Sequence, residues 1–95
     1  MLGEKLKQRL ERKLDEARAS PWEHTQPIAI DLDPAPRVSG DAVTAGLVFR
    51  VQSSRREWIE VHREPDTAMT RDDDVDDLLA RGLSIFLMKH PGWPK

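Results

Sequence analysis

The chain contains no cysteine, so neither a disulfide framework nor a thiolate metal site can support it, and packing or association must do that work. It also has little excess charge of either sign. Fifteen Lys and Arg stand against 17 Asp and Glu, a net of −2, which gives solubility without a global field to draw in nucleic acid or an anionic membrane. Long apolar runs are missing too: charge interrupts Leu2 and Leu6 from Glu4 onward, and the longest apolar stretch is far short of a membrane span. A cytoplasmic protein is the expectation. Five scattered glycines form no phosphate-binding loop, and neither a nucleophile elbow nor a cysteine–base pair is present, so the sequence points away from an enzyme and to no cofactor.

What is there fits one small domain. Ninety-five residues bury roughly two thirds of their unfolded surface, so the core is limited and residues 1–95 read as a single α+β unit with 90–95 a short irregular tail. Leu2, Leu6, Leu10 and Leu14 recur every four residues and, with Ala17, make the buried stripe of an amphipathic helix over about 3–19. Ser20 and Pro21 end it.

From Pro27 the period changes to two. Ile28, Ile30 and Leu32 alternate with Ala29, Asp31 and Asp33 in a half-buried strand. A loop over Pro34–Asp41 leads to a long second strand, with Val43, Ala45, Leu47, Phe49 and Val51 on one face and Thr44, Gly46, Val48 and Arg50 on the other. Ser53–Arg55 turns the chain into a third strand, which carries Glu57, Ile59 and Val61 inward and Trp58, Glu60 and His62 outward, closing at Glu64, Pro65 and Asp66. A three-residue hairpin loop sets Gln52 opposite Arg56, Phe49 opposite Ile59, Leu47 opposite Val61, and Arg50 opposite Trp58 in a cation–π contact.

Five aspartates, Asp72, Asp73, Asp74, Asp76 and Asp77, precede the most apolar run, Leu78–Met88. Carboxylates there complement the positive end of a helix dipole, so a second helix starts near Arg71, with Thr70 as cap and Asp73 in the place of the capping-box acid. The helix is read as continuous until Pro91. In the alternative, Gly82 is a C-terminal cap and 83–88 a short fourth strand. The fold class is therefore helix, three-stranded antiparallel sheet, helix.

That order resembles double-stranded RNA-binding domains, whose second helix begins with a basic motif that meets phosphates across the major groove. Here Asp72 to Asp77 hold that position, with the opposite sign, so the resemblance extends to element order alone.

Asp31, Asp33, Glu60 and His62 are weak candidates for a divalent-metal site on the outer sheet face and, by extension, for a hydrolase. A solvated strand face is the plainer reading, and the aspartate run lacks the order of a calcium loop. A nucleic-acid-associated regulator would use Lys5, Arg9 and Arg12 on the first helix with Arg55 and Arg56 at the hairpin, where mixed signs weaken the signal. The stronger lead is apolar surplus. A helix through Leu83, Ile85, Phe86, Leu87 and Met88 is hydrophobic on nearly every side, so the first helix, a second copy or another protein must cover it. The expected function is protein association, as a homodimer or as a subunit or adaptor of a larger assembly, with Trp58, Leu83, Phe86, Leu87 and Trp93 as contact residues.

Overall fold

A computed structural model describes residues 2–19 and 28–89. Helix α1 (Leu2–Ala19) is followed by strands β1 (Ile28–Leu32), β2 (Arg37–Ser39), β3 (Ala42–Gln52) and β4 (Trp58–Met69), then helix α2 (Asp72–Lys89). The expected α+β architecture is present, and α2 runs unbroken through Gly82, so residues 83–88 form no strand.

Strand β3 is the axis of the sheet. One of its edges takes β4 along nearly its whole length, and the other takes two short strands in succession, β1 against Leu47–Val51 and β2 against Ala42–Thr44. Strands β1 and β2 are thus the halves of one interrupted strand. The interruption falls at the cis Asp33–Pro34 peptide, opposite Gly46, whose backbone exchanges hydrogen bonds with it: Asp33 N–H donates to the Gly46 carbonyl and Gly46 N–H to that of Pro34. A Cβ at Gly46 would lie 2.5 Å from the Asp33 carbonyl oxygen, so only glycine lets the kinked strand lie this close. The loop expected over Pro34–Asp41 therefore holds β2, which turns into β3 at Gly40 and Asp41.

The β3–β4 register corrects three expectations. Gln52 pairs with Trp58, so the hairpin loop spans 53–57, and Ile59 stands opposite Val51 instead of Phe49. Arg56, at φ 64°, helps close that longer loop, with its N–H bonded to the Ser53 carbonyl. Next, the register slips between Arg50↔Glu60 and Phe49↔His62, leaving Val61 as a bulge. One extra residue swaps the faces beyond it, so His62 points into the core layer instead of outward. Finally, β4 continues past Glu64, Pro65 and Asp66 to Met69, and a second slip opposite Gly46 accommodates Pro65 on this edge strand.

Both helices pack on the same face of the sheet, α1 over β1 and β3 and α2 over β4, and they touch each other. Leu6, Leu10 and Leu14 of α1, Val75, Leu78 and Phe86 of α2, and Val43, Ala45, Leu47, Phe49 and Val51 of β3 make one core. Much of the apolar surplus of α2 is absorbed within the chain: Phe86 is buried, and Leu83 and Leu87 pack half-buried against the core. Met88 is left 76% exposed.

The start of α2 lies one residue later than expected. Arg71, whose carbonyl accepts from the N–H groups of Asp74 and Val75, is the cap in place of Thr70. The Asp74 carboxylate, in place of Asp73, reaches back to accept from the N–H groups of Thr70 and Arg71 and from the Thr70 hydroxyl. These bonds, the Thr70 N–H foremost, hold the Asp74 carboxyl below the usual carboxylate range. Asp76 faces α1, where Arg9 grips it with two hydrogen bonds of 2.9 and 3.1 Å. The aspartate run therefore caps one helix and clamps it to the other.

Candidate functional site

Two polar constellations are built on β4, one on each face of the sheet. On the outer face, the register sets Arg50 opposite Glu60 of β4 and Val48 between Asp31 of β1 and Arg63 of β4, so Asp31 and Arg50 are diagonal neighbours. Arg50 reaches Asp31 at 3.4 Å and Asp33 at 4.0 Å, while Arg63 reaches Asp33 at 3.2 Å and Glu60 at 2.8 Å. Val48, read as an outward side chain, has no exposure although both α1 and α2 lie on the other face. It lies between Asp31 and Arg63 in the register, and the long arginine stems with their paired carboxylates close over it. The Arg63 hydrogen bond holds the Glu60 carboxyl below its usual range.

This geometry answers the metal reading. Asp31, Asp33 and Glu60 do share a face, but guanidinium groups stand between them where a cation would bind. His62 lies on the opposite side of the sheet. Among the described residues no group of three or more metal-ligating side chains converges.

Toward the hairpin, Trp58 with Ala29, Asp31 and Arg50 lines an open depression of about 260 Å³. Trp58 stands opposite Gln52, and the Arg50 side chain, expected against the indole, is engaged with Asp31 and Asp33. Trp58 is 48% exposed and its neighbour Ile59 49% exposed. Two large apolar side chains on opposite faces of the hairpin end are thus partly wet.

On the inner face, His62 and Glu64 are buried, at 8% and 4% exposure. His62 Nε2 lies 2.6 Å from Glu64 Oε2, Arg81 Nε donates to Glu64 Oε1 at 2.6 Å, and Lys89 Nζ lies 3.1 Å from His62 Nδ1. The His62 ring stacks on Phe49 at 6.0 Å, and Phe49 on Phe86 at 5.2 Å. Burial is the largest single influence on Glu64 and raises its proton affinity, but the hydrogen bonds and charges of Arg81 and His62 together outweigh it, so the carboxyl stays below the usual range. Sequence reading assigned Glu64 to the end of a strand and missed Arg81 and Lys89. The available signal was the His62–Glu64 spacing of two, which places both on one strand face.

Glu64, Asp74 and Asp76 are all held below their ordinary values, Asp76 first by its hydrogen bond from Arg9. A carboxyl whose folded-state value is depressed binds more protons when unfolded, so its contribution is complete above the unfolded value and fades as pH falls through the folded one. The urea midpoint is accordingly expected to hold from about pH 7 to 5 and to fall steadily below about 4.5, near the unperturbed values. A midpoint that rose on acidification to pH 3.5 would contradict this.

The basic residues proposed for nucleic acid are divided. Lys5 and Arg12 on α1 and Arg55 and Arg56 on the hairpin loop are exposed, whereas Arg9 is committed to Asp76 and, at 3.9 Å, to Asp72. Arg12 and Lys13 also lie in the field of Asp76, so the acidic start of α2 offsets the basic side of α1. Of the expected contact residues, Phe86 is stacked in the core and presents no surface, Leu83 and Leu87 are half-buried, and Trp93 lies outside the described residues. The apolar cavity between helices and sheet, lined by Ala17, Ile30, Phe49, Leu79, Ala80 and Leu83, measures about 110 Å³, well below the roughly 300 Å³ of the smallest usual ligand sites.

No family model matches the chain, and neither a curated protein nor a solved structure is significantly similar to it. Function must therefore be argued from the surface itself.

Proposed function

We propose that this chain is a non-enzymatic protein-association module, most simply a homodimer, whose contact surface is the hairpin end of the sheet. The observation that carries this is the pair Trp58 and Ile59, large adjacent apolar side chains on opposite faces of an edge strand and each about half exposed. A tryptophan flanked by polar rim residues, here Gln52, Arg55 and Glu60, is the composition of an interface anchor. Enzymatic readings have less support, since the ionised groups of both constellations are engaged with one another.

Sedimentation velocity from low to high micromolar concentration tests the proposal. The expected result is concentration-dependent association that weakens at least tenfold in the double variant W58S/I59S, because truncating an interface anchor costs about 2 kcal/mol or more. A parent protein that remained a monodisperse monomer throughout, or a double variant that associated equally well, would refute it.

A further inference from the structure

The His62 cluster contains more chemistry than a buried ion pair needs. Both ring nitrogens are engaged, and by partners of opposite character. An ionised carboxylate only accepts hydrogen bonds and an ammonium only donates them. Glu64 Oε2 at 2.6 Å from Nε2 therefore requires a proton on Nε2, and Lys89 Nζ at 3.1 Å from Nδ1 requires a bare lone pair there. The arrangement fits one protonation state, a neutral imidazole with its hydrogen on Nε2.

We propose that His62 is a proton-sensitive latch that fastens the last turn of α2 to β4 and releases it when the ring is protonated. Proton uptake places a hydrogen on Nδ1 in the line now used by the Lys89 ammonium, so the hydrogen bond is lost and two cations are left 3.1 Å apart. The other groups facing the ring fix what can move. Glu64, on the same strand, retains its bond to Nε2. Arg81, from α2, already holds the second oxygen of Glu64 and neutralises part of its charge, which weakens its pull on Lys89. From β3 the ring meets Phe49, which carries no charge. Three cations would then surround one carboxylate, and Lys89 is the exposed one, at the helix end, with solvent available to it. Phe86, one turn earlier, is anchored against Phe49. Release is confined to Leu87, Met88 and Lys89.

NMR of the ¹⁵N-labelled protein tests the latch. Near pH 8 the His62 ring should show the neutral form with its hydrogen on Nε2. As the ring becomes protonated on acidification, the hydrogen-exchange protection of the Leu87, Met88 and Lys89 amides should fall about tenfold, the lower end of what one hydrogen bond to a charged group is worth, while Phe86 keeps its protection. In Lys89→Met the ring should still titrate and the last-turn amides should no longer follow it. That variant changes an exposed side chain and leaves the core intact, so the test does not depend on whether His62→Gln folds. A neutral ring with its hydrogen on Nδ1 would overturn the proposal, as would last-turn amides that ignore the ring in the parent or still follow it in Lys89→Met.

Discussion

Replacing Phe49 with alanine is expected to lower unfolding stability by about 3–5 kcal/mol, the range for deleting a buried aromatic ring from a core that cannot collapse around the void. Phe49 is 1% exposed and sits at the centre of β3. Its ring stacks on Phe86 at an interplanar angle of 18° and on His62 at 27°, and it lies directly beneath Gly82. Neither neighbour is free to fill the space, since His62 is held by Glu64 and Lys89 and Phe86 belongs to a helix clamped at its other end by Arg9 and Asp76. A domain of this size has roughly 5–14 kcal/mol of stability in total, so Phe49→Ala should come close to unfolding at ambient temperature. Urea denaturation followed by circular dichroism measures this directly. Trp58→Ala is the internal control: at the half-exposed hairpin end it should cost the monomer about 1 kcal/mol or less. A Phe49→Ala loss below about 1.5 kcal/mol would mean that the stack is not the centre of the core.

Helix α1 and strand β3 were legible because each obeys a regular period, and the start of α2 because carboxylates cluster where a helix dipole favours them, while its course through Gly82 was open to a strand reading. Leu6, Leu10 and Leu14 fall on one helical stripe and are buried, and Val43, Ala45, Leu47, Phe49 and Val51 of the inward face are buried as their alternation predicts, although Val48 of the outward face is buried too. The inner constellation was hidden because strand reading assumes a period of two, and the bulge at Val61 inserts one residue without a local signal such as glycine. His62 consequently read as a partner of Asp31 and Asp33, when it faces Phe49 and Glu64. The interrupted first strand escaped for a related reason: Pro34 and Pro36 mark a loop locally, and only the approach of Gly46 across the sheet lets pairing resume at Arg37. The aspartate run was read as a helix start, and it is one. That Asp76 also clamps α1 depends on a pairing across 67 positions of sequence, which no local pattern reports. On the outer face the carboxylates and Arg50 were found, but Arg50 was set against Trp58 in place of Asp31 and Asp33, and Arg63 was missed because it reaches that face only through the same bulge.

Gly82 gives the other large effect, and it reverses what helix propensity alone predicts. A glycine in the middle of an 18-residue helix costs about 1 kcal/mol relative to alanine, so substitution on a free surface would stabilise. Here the added Cβ would meet the Phe49 ring at 2.8 and 3.0 Å and the Glu64 side chain at 3.2 Å, all closer than ordinary van der Waals contact. The Phe49 ring cannot retreat between Phe86 and His62, and Glu64 is fixed by Arg81 and His62. In Gly82→Ala the propensity gain therefore offsets part of the overpacking cost, and a net loss of up to about 1–2 kcal/mol is expected. Gly82→Val adds two methyl groups toward the same ring and gains less propensity, so about 2–3 kcal/mol should be lost, together with the ring-stacking signature of His62 in its proton chemical shifts. The order parent, alanine, valine in urea midpoint is the discriminating result. A valine variant as stable as the parent would show that α2 can lift away from β3 at no cost, and a helix that loose could not hold Lys89 against His62.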